Sequence, residues 1–126
     1  MNILDSSAWL EVLVDGAHAP TFLPLIESGK LLVPAVTIFE VTKRARIMGN
    51  QADADRIESH MRRFTVLDLT AERASSAAKL SFQHKLPMAD SMIYAAALEF
   101  KATLWTLDDD FEGLGQVRYF SRKVAK

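Results

Sequence analysis

Short, continuously apolar runs alternate with longer stretches of helical period along this chain. Ile3-Leu4 opens it as a short strand, and Ser7 to Val14 reads as a helix with Ser6 or Ser7 at its N-cap and Asp15-Gly16 as its stop. A second helical segment spans 18–28 and closes at Gly29, and Leu31-Leu32-Val33 is a buried strand ended by Pro34. Over 36–48 the apolar stripe of Ile38, Val41, Ala45 and Met48 predicts a helix that Gly49-Asn50 ends. A polar helix follows over about 51–63, then a strand at Thr65-Val66-Leu67. Thr70 caps a helix reaching about His84, Pro87 opens another reaching about Phe100, and Leu104-Trp105 and Val117 to Phe120 are the last two strands. Strands without polar alternation, separated by helices, predict an α/β fold whose parallel sheet is covered on both faces. No linker, repeat or low-complexity stretch divides the chain, so 1–126 is taken as one domain.

Composition narrows the chemistry. With no cysteine, disulfides, thiolate zinc sites and thiol nucleophiles are excluded, and a reducing, cytoplasmic setting is the expectation. The N-terminus lacks the pattern of a signal peptide, and no apolar stretch reaches the ~20 residues of a membrane span. The net charge of -1 does not advertise nucleic-acid binding, but its distribution is uneven. Residues 41–64 carry six basic and three acidic side chains, and the tail 118–126 carries Arg118, Arg122, Lys123 and Lys126 with no acid. Taken singly, such runs are solvated faces.

The acids are more telling. In an open parallel sheet, sites gather beyond the carboxyl ends of the strands. Asp5 follows the first strand directly, and Asp108 follows the Leu104-Trp105 strand as the first of three consecutive acids, Asp108-Asp109-Asp110. Glu40 lies about one turn into the helix after Pro34, and Asp90 lies in the first turn of an otherwise apolar helix. Each has an ordinary explanation. Asp90 complements a helix dipole, Glu40 pairs with Lys43 or Arg44, and Asp5 accepts hydrogen bonds from Ser6-Ser7. Those explanations leave open why four segments bring an acid to one rim. Clustered carboxylates raise each other's pKa, and a divalent cation removes that cost. Oxygen ligands without His or Cys suit magnesium or manganese, which activates water and clamps a phosphodiester.

Four stretches, "ILDSSAWLEVL" (3–13), "VPAVTIFEVTKRA" (33–45), "HKLPMADSMIYAAALE" (84–99) and "TLWTLDDDFEGL" (103–114), carry these acids in order. Together they resemble PIN-domain ribonucleases, in particular the VapC-type toxins of toxin–antitoxin pairs. The resemblance implies a three-layer sandwich, a twisted parallel sheet of four to five strands with helices on both faces. It also implies a magnesium- or manganese-dependent endoribonuclease. By position, Asp5, Glu40, Asp90 and Asp108 would be the catalytic quartet, with Asp5, Asp90 and Asp108 on the metal. Ser6, Thr106 and Asp110 would be its helpers, Ser6 orienting the Asp5 carboxylate. A homodimer, an antitoxin that blocks the site, and structured RNA such as transfer RNA are implied partners. Lys43, Arg44 and Arg46 are then expected to contact substrate phosphates. The apolar surplus of Trp9, Leu10, Leu13, Phe22, Leu23 and Leu25 is expected to serve the core and, in part, an antitoxin groove or dimer face.

Other readings are a PIN module that binds RNA or a partner without cutting, a phospho-receiver domain with Asp68 as acceptor and Lys123 as its lysine, and a calcium loop starting at Asp108. The last lacks the required Glu at its twelfth position, which is Tyr119. His18, His60 and His84 show no ligand spacing. If the chain ran extended past Leu107, Asp108 and Asp110 would face one way and Asp109 the other.

Overall fold

A computed structural model describes residues 1–49 and 51–122. Five strands form in the order β1 (Asn2–Leu4), β2 (Leu32–Pro34), β3 (Thr65–Leu67), β4 (Thr103–Thr106) and β5 (Val117–Tyr119). Every pairing is parallel: β1 with β4, β4 with β5, and β2 with β3. The two groups meet at a single parallel bridge between Asn2 and Leu31. The helices are α1 (Ser6–Leu13), α2 (Ala19–Glu27), α3 (Ala35–Ile47), α4 (Gln51–Met61), α5 (Ala71–His84) and α6 (Met88–Glu99).

Alternation along each short strand divides the core in two, because successive side chains point to opposite faces. Ile3, Leu32 and Leu104 join Leu86, Ile93, Tyr94 and Phe111 on the face covered by α5 and α6. Leu4, Leu31 and Val33 join Trp9, Phe22, Val41 and Met61 on the face covered by α1 to α4. The result is three layers with the sheet between two helical ones. Helix α6 is buried almost all round, and the small side chains of Ala95, Ala96 and Ala97 let it press close to its neighbours.

The helix ends follow local chemistry. Thr70 Oγ1 accepts the Arg73 amide at 3.2 Å, as expected of an N-cap. At α1 the cap is Asp5, not Ser6 or Ser7: its carboxylate accepts the Ala8 amide, and Ser6 is already helical. A carboxylate outcompetes a hydroxyl there because it accepts more strongly and lies against the positive end of the helix. Glu40 falls in the second turn of α3, which starts at Ala35. Asn50, expected to end α3 with Gly49, and the basic Lys123 and Lys126 lie outside the described residues. None of the described helices is long and apolar enough to cross a membrane.

Candidate active site

Parallel strands deliver their carboxyl ends to one rim, and Asp5 and the Asp108 turn emerge there from the adjacent strands β1 and β4. Asp5 is almost completely enclosed, at 2% exposure. Two hydroxyls hold it. Ser7 Oγ donates to Oδ1 at 2.6 Å, and Thr106 Oγ1 donates to Oδ2 at 2.6 Å. Each hydroxyl also accepts an amide from the chain leaving β4, Leu107 N on Ser7 at 3.0 Å and Asp108 N on Thr106 at 2.9 Å. Asp5 is thus locked to the segment that carries the acidic triplet. Burial pushes its pKa up to about 6, against the hydrogen bonds from Ser7, Thr106 and the Ala8 amide, and the charge of Asp108 adds to the rise.

Asp90 enters from the first turn of α6 and is buried. Its pKa is pushed up to about 7, first by burial, then by the charges of Asp108, Glu40, Asp5 and Asp110. All four neighbouring charges have the same sign as its own. Glu40, half-buried on α3, is raised by burial and by Asp108, opposed by a hydrogen bond from the Ser6 hydroxyl. Its Oε1 is buried with no hydrogen-bond partner among the described residues. Such an orphaned oxygen costs stability unless something outside the chain meets it.

The triplet itself does not run extended. Asp108 is extended (φ -89°, ψ 120°), but Asp109–Phe111 is a turn of 3₁₀ helix. Asp108 Oδ1 accepts the Asp110 amide at 2.9 Å and caps it. Phe111 anchors its far end, fully buried against Tyr94 in the α5–α6 core. Asp108 and Asp110 still face one way, for this different reason: one carboxylate oxygen from each of Asp90, Asp108 and Asp110 lies within 4.8 Å of the others. Asp109 is exposed and outside that trio.

The sequence profile of the PIN domain matches residues 3–116. The chain belongs to the PIN domain family. Solved PIN structures share its fold. A toxin–antitoxin complex from Klebsiella pneumoniae matches at 20% identity and a TM-score of 0.78, over 94% of this chain and 96% of that one. VapC20 of Mycobacterium tuberculosis, a sarcin-ricin loop cleaving toxin, matches at 16% identity and a TM-score of 0.77, over 91% and 95%. VapBC2 from Rickettsia felis, bound to a DNA fragment from its promoter, matches at 12% identity and 0.72, over 95% and 97%. These likenesses make the fold that of VapC-type toxins. No curated protein sequence matches at a significant level.

In this PIN domain the donor set is all oxygen, which fits a hard divalent cation. The unpartnered Glu40 Oε1 and the mutual repulsion of the acids fit one too. Of the expected residues, the structure gathers Asp90, Asp108 and Asp110 most tightly, with Asp5 behind them under two hydroxyls and Glu40 at the side. Ser6 was expected to orient Asp5, with Ser7 named only in the turn that follows; the structure gives that part to Ser7, whereas Ser6 hydrogen-bonds Glu40. The one available signal was the Ser-Ser pair after Asp5, and helical geometry chose between its members. Lys43 and Arg44 are exposed on α3 beyond Glu40, with Lys43 Nζ 5.6 Å from the centre of the Phe39 ring. Arg46 instead turns to α4, where it holds Asp55 at 2.7 Å and also Gln51. Asp68 is exposed and its carbonyl accepts from Arg73. Residues 108–119 form a 3₁₀ turn and then β5, not a loop between two helices. His60 and His84 pack on aromatic rings, and His18 meets Phe120 and the Ser121 carbonyl.

Proposed function

We propose that this chain is a divalent-cation-dependent endoribonuclease and the toxin of a toxin–antitoxin pair. The observation that carries the reading is the rim itself: five acids from four segments, three of them buried or half-buried with raised pKa, and only like charges acting on Asp90. Carboxylates gathered this closely must either take up protons or be offset by a cation, and a bound cation with its substrate lets them stay ionised.

Asp90, Asp108 and Asp110 would hold magnesium or manganese, with Asp5 supporting them. When bound, the cation supplies a lowered pKa for water and neutralises charge developing on the phosphate. The chain's own residues do the rest. Ser7 and Thr106 keep both oxygens of Asp5 in place and prevent its carboxylate from swinging away from the Asp108 turn. Glu40 Oε1 is the atom left to accept a hydrogen bond from the attacking water. Lys43 and Arg44 offset the repulsion between the acidic rim and the phosphates of RNA. Changing both to Ala should weaken cleavage and flatten its dependence on salt, and cleavage unchanged on both counts would assign them to the solvated face. Trp9, Val12, Leu13, Leu23 and Ile26 give an apolar side to a groove between α1, α2 and α4 that would receive the antitoxin. A homodimer and a structured RNA substrate belong to the same reading.

The test is incubation of the purified protein with total RNA in magnesium or manganese and in chelator, beside Asp5→Asn. Cleavage should occur only in the cation and only with Asp5 intact. Cleavage that persists in chelator, or in Asp5→Asn, sinks the mechanism.

A further inference from the structure

Past Tyr119 the chain turns back over the end of β4. The Phe120 amide donates to the Thr106 carbonyl at 2.9 Å, and Phe120 stacks on Trp105 with ring planes 9° apart. The Ser121 carbonyl lies 2.8 Å from His18 Nε2 at the start of α2. This returning segment is therefore fixed from two sides. Between it and the turn after β4 lies a groove of about 380 Å³, lined by Leu107, Asp108, Asp109, Tyr119, Ser121 and Arg122. That volume falls at the lower end of sites for small organic ligands, about 300–1,000 Å³. Asp108 is common to this groove and to the acidic trio, so whatever lies in the groove adjoins the candidate cation.

The lining has the two things the acidic rim lacks. Arg122 is exposed and makes no ion pair among the described residues, and its planar guanidinium suits a phosphate. Tyr119 is partly exposed and supplies an aromatic face on which any base can stack. A duplex hides its base faces, so the pairing of ring and cation selects an unpaired nucleotide. We propose that this groove is a substrate subsite: it takes the single-stranded nucleotide next to the scissile phosphate, its base on Tyr119 and its phosphate at Arg122. The proposal rests on the endoribonuclease reading and names the form of RNA that it takes.

The experiment compares wild type, Tyr119→Phe, Tyr119→Leu and Arg122→Gln on a short unpaired oligoribonucleotide. KM and kcat are measured in magnesium, and Kd by fluorescence anisotropy in an Asp90→Asn background. Tyr119→Leu should raise Kd and KM roughly ten-fold, while Tyr119→Phe, which keeps the ring, stays near wild type. Arg122→Gln should weaken binding and reduce the salt slope by roughly 0.7, the share of one single-strand phosphate. Its side chain is exposed beyond the last strand, so it tests the groove even if Tyr119→Leu disturbs β5. If wild type cuts the oligonucleotide and both Tyr119→Leu and Arg122→Gln match it in KM and Kd, the groove is not a subsite and the nuclease reading stands. Weakening by Arg122→Gln only overturns the stacking half. If wild type neither binds nor cuts RNA, the nuclease reading fails and the subsite falls with it.

Discussion

Helix α6 carries an acid at each end, and the two meet opposite fates. At its last residue, Glu99 is exposed and takes a two-point contact from Arg73, 3.0 Å to Oε1 and 3.1 Å to Oε2. That hydrogen bonding lowers its pKa. In the first turn Asp90 is buried among four other carboxyl groups and its pKa is pushed up to about 7. One helix thus holds a carboxylate neutralised by the chain itself and another that the chain leaves unneutralised. Only the second implies an external cation. Helix N-termini favour an acid by about 0.3–1 kcal/mol, so the dipole falls far short of offsetting that burial and repulsion.

The sharpest way to break this contrast is Asp90→Asn. It should lower cleavage by roughly two orders of magnitude or more, since it removes a group expected to hold the cation. The same change should raise the melting temperature measured in chelator at pH 8, because it removes a charge the fold does not neutralise. A loss of activity together with a lower melting temperature would mean that Asp90 is structural.

Within the triplet the effects should be graded. Asp108→Asn should cost most activity, because Asp108 both joins the trio and caps the 3₁₀ turn; Asp110→Asn should cost less and Asp109→Asn little. Equal losses at Asp109 and Asp108 would show that the turn presents its acids differently.

A third effect is on stability. Asp5 and Asp90 bind protons more tightly folded than unfolded, where an aspartate has a pKa of about 3.9. Their contribution to stability is full below that value and is lost as pH rises through about 6 and about 7. In chelator the melting temperature should therefore fall by roughly 5 °C between pH 5.5 and pH 8, and magnesium should restore it most at pH 8. A melting temperature that rises over that range without cation contradicts the raised pKa values. Calorimetry should also detect protons released as the cation binds near pH 6.5.

Glu99→Gln is the smallest expected effect. It breaks an exposed pair, so activity should be unchanged and the melting temperature should barely move. A large loss of cleavage would mean that both ends of α6 serve the site.

Much of this molecule was legible along the chain. Among the described residues, the five strands and six helices fall where hydrophobic period and caps predict them, because each is short, bounded by Pro, Gly or a polar cap, and apolar on the side it buries. Asp5, Asp90 and Asp108 stood out because they follow strands or open a helix. What was not legible depended on side-chain direction. The exchange of roles between Ser6 and Ser7, and the passing of Arg46 to Asp55, turn on about 100° of helix per residue.

The elements, their order, and the placing of acids at strand ends follow from local period and from a parallel sheet having one rim. Tertiary structure decided which acids share a site. Asp90 and Asp108 lie 18 positions apart and Asp5 more than a hundred from Asp108, so only the pairing of β1 with β4 and the packing of α6 bring their charges together. Burial, which no residue carries in its own chemistry, then turned ordinary aspartates into groups that hold protons near neutral pH. The turn after Leu107 shows the same division. Three identical residues in a row became a capping acid, an exposed acid and a third acid facing Asp90, because Phe111 found its place in the core.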